Sequence, residues 1–165
     1  MRKFAEDRNL NSSYIFILVL AICCCVLVKT NKCPVEASVV SGNSMESTLH
    51  NKDKGIILKV GTIKRYDIIV FSAVIDGKPS LLVKRVIGLP GDHVVCKGNT
   101  VYVNGNPITE FAKDTKYNFD FAEEIVPDDC YFVLGDNREV SLDSRYDEVG
   151  FIPFDTVIGI FYKID

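Results

Sequence analysis

Three short stretches carry the residues best suited to chemistry. Leu81-Leu82-Val83-Lys84-Arg85-Val86-Ile87-Gly88 reads as a strand, and its side chains alternate between the two faces of a sheet. Lys84 then shares a face with Leu82 and Val86, where scarce water disfavours the ammonium and lowers its pKa. A lysine at its reference pKa near 10.4 is neutral in only about one molecule in a thousand near pH 7.4. A shift of ~2 units raises that fraction to roughly a tenth, at a cost of about 2.7 kcal/mol, and only the neutral amine is a general base. The second stretch, Ser41-Gly42-Asn43-Ser44-Met45, comes directly after Val39 and Val40 and fits a tight turn presenting Ser44 as a nucleophile. Gly42 and Asn43 accept backbone conformations that can aim N–H groups at a reacting carbonyl oxygen. The third runs from Gly135 to Arg145. There Asp136, Arg138, Asp143 and Arg145 can form charge-assisted hydrogen bonds that stiffen a site, with Ser141 placed to orient an amine. Taken singly, each stretch is more often structural: a snorkelling strand lysine, a surface turn, a solvated charged loop.

The elements that must position these residues are mostly strands. From Val35 onward, short β-branched or aromatic runs alternate with turn residues, which predicts a mainly β domain. Expected strands are Glu36 to Ser41, Lys54 to Val60, Tyr66 to Ile75, Ser80 to Gly88, His93 to Lys97, Thr100 to Val103, Cys130 to Leu134 and Thr156 to Ile164. Lys97-Gly98-Asn99 and Asn104-Gly105-Asn106 are hairpin turns that make His93 to Ile108 a meander. Residues 92–129 read as a small β subdomain inserted into the core sheet, with a polar stretch from Asp114 to Asp129.

Ahead of this domain, Tyr14 to Val28 carries no charge, Gly or Pro. At ~1.5 Å per residue it covers roughly 22 Å, a minimal membrane span completed by its flanking residues. A removable secretory signal fits less well, because Lys29-Thr30-Asn31-Lys32-Cys33 offers no small-residue cleavage site. Arg2, Lys3 and Arg8 favour a cytoplasmic N-terminus. The expected organisation is a cytoplasmic segment over 1–12, a transmembrane helix over 13–29 and an extracytoplasmic domain over 30–165.

Composition excludes other classes. The 165 residues are 47% hydrophobic and 25% charged with a net charge of -3, enough for one modest core and without the basic field that recruits nucleic acid. The six cysteines lack metal-ligand spacing, and no cofactor or metal is expected. Cys96 and Cys130 read as half-buried thiols more readily than as a disulfide.

Together the three stretches resemble the motifs of type I bacterial signal peptidases, in the same order after an N-terminal anchor. Ser41-Gly-Asn-Ser-Met45 is similar to the box with the catalytic serine and Tyr66-Asp-Ile-Ile-Val-Phe71 to the core strand after it. Lys84-Arg-Val-Ile-Gly-Leu-Pro-Gly-Asp92 is similar to the box with the catalytic lysine, and Gly135 to Arg145 to the Gly-Asp-Asn-Arg box. The resemblance spans about Val35 to Ile164 and implies a β-sheet catalytic domain of the kind shared with LexA-type self-cleaving repressors. It further implies that Ser44 attacks the carbonyl at a signal-peptide cleavage site while neutral Lys84 takes its proton. Ser141 matches the serine that hydrogen-bonds the lysine, Asp143 and Arg145 match a supporting ion pair, and Asp136 and Arg138 match the other charged positions. Signal-peptide-bearing preproteins would bind extended beside Val39, Val40 and Ser41 and beside Leu82 and Val83, at the surface of the cell membrane's lipid bilayer. With Gly42 two residues before Ser44, no side-chain hydroxyl can complete the oxyanion hole from there.

Three positions depart from the common pattern: Ser47 stands where proline is usual, Tyr66 where glycine is usual, and Asp147-Glu148-Val149 lengthens the segment before Gly150. They suggest altered substrate choice. Three rival readings remain: a signal-peptidase-like factor dedicated to pilin processing or pilus assembly, a LexA-type repressor, which should carry a DNA-binding domain and no anchor, and a triad built on His50 or His93.

Overall fold

The computed structural model describes residues 15–19, 34–59, 61–109 and 119–164, and the chain divides into two units, 1–34 and 35–165. In the first unit Ile15–Val19 is α-helical; the rest of the expected 13–29 anchor lies outside the described residues. Among the described residues, no helix is long and apolar enough to cross a membrane.

The second unit is built from eleven strands: β1 (Val35–Val39), β2 (Lys54–Leu58), β3 (Ile68–Ile75), β4 (Lys78–Gly88), β5 (His93–Lys97), β6 (Thr100–Val103), β7 (Asn106–Ile108), β8 (Phe121–Ile125), β9 (Cys130–Leu134), β10 (Ile152–Pro153) and β11 (Val157–Lys163). They form an antiparallel seven-stranded sheet ordered β1-β2-β11-β3-β4-β9-β10 and a four-stranded sheet ordered β7-β6-β5-β8. The mainly β expectation holds. The smaller sheet falls within residues 92–129.

Turn chemistry sets the registers. Asp76 and Gly77 adopt φ of 51° and 71°, the paired positive values of a type I′ turn, and they join β3 to β4 in an unbroken ladder from Ile75↔Lys78 to Ile68↔Arg85. Gly98-Asn99 and Asn104-Gly105 repeat the device between β5, β6 and β7. The strand expected from Tyr66 begins at Ile68 instead. Tyr66 sits at φ 76°, and the Asp67 carboxylate accepts the Lys64 N–H at 2.8 Å, so the chain is still turning. Two strands were not anticipated. β8 reads Phe-Ala-Glu-Glu-Ile, an exposed edge strand without apolar alternation, and β10 is only two residues long.

Packing puts apolar clusters on both faces of the large sheet. Val40, Met45, Leu49, Ile57, Val70 and Phe161 form one cluster, and Ile69, Phe71, Val86, Tyr131, Val133 and Ile152 another. The small sheet closes on Ile87, Phe132 and Leu134 through Val94, Cys96, Val101 and Val103. Cys96 and Cys130 are buried free thiols. Desolvation and the nearby Asp120 push the Cys96 pKa up to about 11, so the thiol stays protonated.

One irregularity in the large sheet fixes where a site can form. β9 pairs with β4 only over Arg85 to Gly88, and the outer edge of β4 before that point carries no strand among the described residues. Lys84 stands at the boundary.

Candidate active site

Ser44 reaches this boundary although three strands lie between β1 and β4 in the sheet, because the chain leaving β1 folds back over it. Met45 and Leu49 anchor the returning turn, 2% and 1% exposed. A short turn closes beneath them, with Thr48 and Leu49 N–H groups both donating to Met45 O. The loop after β9 grips the turn from the other side. Asn137 donates its N–H to Ser44 O at 3.0 Å and its Nδ2 to Asn43 O at 3.2 Å.

Lys84 Nζ lies 2.8 Å from Ser44 Oγ and donates to Val83 O at 3.1 Å. The lysine is 3% exposed and forms no salt bridge among the described residues. Desolvation lowers its pKa to about 8, Asp143 opposes that shift, and Arg145 adds to it. Roughly a fifth of the molecules then carry a neutral amine near pH 7.4. A hydroxyl in contact with a partly neutral, dry amine can be deprotonated as it attacks a carbonyl.

The neighbouring residue behaves differently. Arg85 points to the opposite face, where Nε and Nη2 meet the two Asp136 oxygens at 2.9 and 2.6 Å. Nη1 donates to Tyr66 O and Nη2 to Thr48 Oγ1, while the Thr48 hydroxyl donates to Asp136. Asp136 was expected to pair with arginines of its own loop. It belongs instead to a fork bridging the serine turn, β4 and the 135–145 loop.

That loop is stiffened by Asp143 and Arg145, joined at 2.7 and 3.0 Å. Asp143 also accepts the Gly135 N–H, and Arg145 caps Arg138 O and Ser141 O. Arg138 donates Nε to Gly135 O, and Phe119 lies under both guanidinium groups, 5.7 Å from Arg138 and 5.3 Å from Arg145. Gly135 is required by close approach: a Cβ there would sit 2.1 Å from Ser141 Oγ and 2.5 Å from Ser44 O.

Ser141 corrects an expectation. Its hydroxyl is buried but has no hydrogen-bond partner, so the anticipated bond to Lys84 is not formed. Ser47 and Tyr66, two of the departures from the common pattern, adopt φ of 94° and 76°, the first closed to proline and the second natural to glycine.

Residues singled out as substrate contacts do come together. Val39, Val40 and Ser41, with Leu82 and Val83, line a hollow of ≈ 240 Å³ that opens onto Ser44 and Lys84. Arg85, Thr48, Asn137 and Phe119 were not singled out. Strict alternation along β4 could have flagged Arg85, since it sends a charge into the face opposite Lys84. Among the described residues, no group of three His, Cys, Asp or Glu side chains could hold a metal ion.

Comparison with known proteins converges on one family. The model for signal peptidase, peptidase S26, matches residues 12–162. A signal peptidase I of Bacillus licheniformis is 34% identical over 157 residues, covering 87% of this chain and 82% of its own, and one of Bacillus caldolyticus is 41% identical over 145 residues, covering 77% and 75%. The crystal structure of a signal peptidase I from Enterococcus faecalis superposes with a TM-score of 0.52 at 35% identity, covering 61% of this chain and 97% of that one. The ordered motifs, the β architecture and these similarities agree: the chain belongs to the signal peptidase family, peptidase S26.

Proposed function

We propose that Ser44 and Lys84 are the catalytic pair with which this signal peptidase removes N-terminal signal peptides from secreted preproteins. The observation that carries the reading is the 2.8 Å contact between Ser44 Oγ and a lysine amine that is buried and has no salt-bridge partner among the described residues. Ser44 Oγ bonds to the carbonyl carbon as neutral Lys84 takes the hydroxyl proton. The C–N bond breaks, and Lys84 returns that proton to the departing amine. Water, deprotonated by the same lysine, then releases the acyl group and restores the serine hydroxyl. As an ammonium, Lys84 has three N–H groups to place. Ser44 Oγ and Val83 O accept two of them.

The segment before the cleaved bond binds extended against Val39 to Ser41 and the unpaired edge of β4 at Leu82 and Val83, with small side chains in the ≈ 240 Å³ hollow. Asp136, Arg138, Asp143 and Arg145 hold the frame. Residues 13–29 anchor the enzyme, with 1–12 cytoplasmic and 30–165 outside, so that the catalytic domain meets preproteins whose apolar segments already lie in the bilayer. The test is cleavage of a secreted preprotein by the full chain in membranes. Wild type should yield the mature N-terminus, and Ser44→Ala and Lys84→Ala should not; cleavage surviving either substitution would refute the assignment.

A further inference from the structure

Asn137 holds the two carbonyls that flank the Ser44 backbone. Its side-chain Nδ2 donates to Asn43 O at 3.2 Å and its backbone N–H to Ser44 O at 3.0 Å. We propose that Asn137 is a positioning residue for the oxyanion: by fixing these carbonyls it aims the Ser44 N–H at the oxygen of the attacked carbonyl group. This rests on Ser44 and Lys84 being the catalytic pair.

A trans peptide unit is planar, so its C=O and N–H point in opposite directions, and no cis peptide bond occurs among the described residues. Turning Asn43 O into the 135–145 loop therefore turns the Ser44 N–H out of it, on the residue whose Oγ attacks. Among the described residues that N–H has no acceptor. The N–H two residues earlier is committed, because Gly42 donates to Asn51 Oδ1 at 3.2 Å. When Ser44 Oγ bonds to a carbonyl carbon, negative charge collects on the carbonyl oxygen beside the serine. An N–H already pointed there stabilises that charge without reorganising.

The turn does not fix this orientation alone. Gly42 sits at φ 96° and residues 43–44 belong to no helix or strand, so rotation of their shared peptide unit would carry the N–H away. The Glu46 N–H also reaches Asn43 O, at 3.1 Å, but it belongs to the same turn. Asn137 comes from outside, and its own backbone is held. The Val140 and Ser141 N–H groups donate to Asn137 O at 3.3 and 3.1 Å, and the adjacent Asp136 is locked in the Arg85 fork. Asn137 is 8% exposed and lines neither hollow beside Ser44, so it acts on the reaction through the serine backbone and not on the substrate.

The experiment uses the full chain in detergent micelles with one signal-peptide substrate, a peptide aldehyde of the same sequence up to the cleaved bond, and the corresponding peptide alcohol. Ser44 Oγ adds to the aldehyde carbon and sets its oxygen where the oxyanion forms; the alcohol binds without reacting. Asn137→Ala keeps the backbone N–H and loses Nδ2, and should lower kcat about tenfold with KM within about twofold of wild type. Asn137→Asp sets a carboxylate against Asn43 O and should lower kcat about a hundredfold. In both variants aldehyde affinity should fall in step with kcat/KM while alcohol affinity stays, and the acid limb of the Asn137→Ala rate profile should stay at the wild-type pH. A protein that is merely less folded loses kcat, but its folded fraction keeps its affinity for the aldehyde. Unchanged aldehyde affinity, a displaced acid limb in Asn137→Ala, or failure of both variants to fold would overturn the proposal while leaving the dyad standing. Wild type that cleaves no faster than Ser44→Ala would overturn both.

Discussion

Lys84 and Arg85 are adjacent residues on one strand, both about as buried as charged side chains become, and the structure treats them oppositely. Arg85 faces the Asp136 carboxylate in a two-pronged fork, with Tyr66 O and Thr48 taking its remaining donors. Lys84 faces a hydroxyl and a carbonyl, and burial brings its pKa down to about 8. A buried charge with a complete set of partners is a scaffold. One buried without a counter-ion stores the free energy needed to give up a proton.

Breaking the scaffold should have the largest effect. Asp136→Ala strands the Arg85 guanidinium and should cost about 3–5 kcal/mol of stability, seen as a lower denaturant midpoint, with activity falling because the serine turn loses its tie to β4. A loss under 1 kcal/mol would show that the fork is dispensable.

On the other face the sign reverses. The unfolded lysine has the higher pKa, so the unfolded state binds more protons between pH 8 and 10.5 and stability rises with pH across that window. Below pH 8 the penalty is fully developed, roughly 3 kcal/mol. Lys84→Met should therefore raise stability near pH 7 by about 2–3 kcal/mol while abolishing cleavage; equal or lower stability would show that burial of the amine carries no such penalty.

A smaller effect sharpens the electrostatics. Arg145 lowers the Lys84 pKa and Asp143 raises it. Arg145→Gln should move the acid limb of the rate profile to higher pH and Asp143→Asn to lower pH, and a common direction would show that the variants act through structure alone. Least of all, Tyr66→Gly should relieve the left-handed backbone at φ 76° and leave stability within about 1 kcal/mol of wild type, on the favourable side.

The features legible in the sequence obey local rules. Alternation along β4 put Lys84 among Leu82 and Val86, and glycine-asparagine pairs marked the turns of the small sheet. The features that were not legible depend on distance. The fork joins Arg85 to a carboxylate 51 residues away, and nothing in the spacing of Asp136 and Arg138 distinguishes it from a pairing within the loop. Phe119 under the two arginines belongs to a stretch without period, and β8 hides as a charged edge strand. Ser141 was read as a partner of the amine, and its buried hydroxyl instead has no hydrogen-bond partner.

The pH dependence of kcat/KM for signal-peptide cleavage tests the central claim most directly. A base of pKa about 8 predicts a rate that rises through an acid limb near pH 8 as Lys84 loses its proton, unchanged when His50 and His93 are both replaced by glutamine. A rate flat from pH 5 to 9, or an acid limb that disappears with the histidines, would contradict Lys84 as the base.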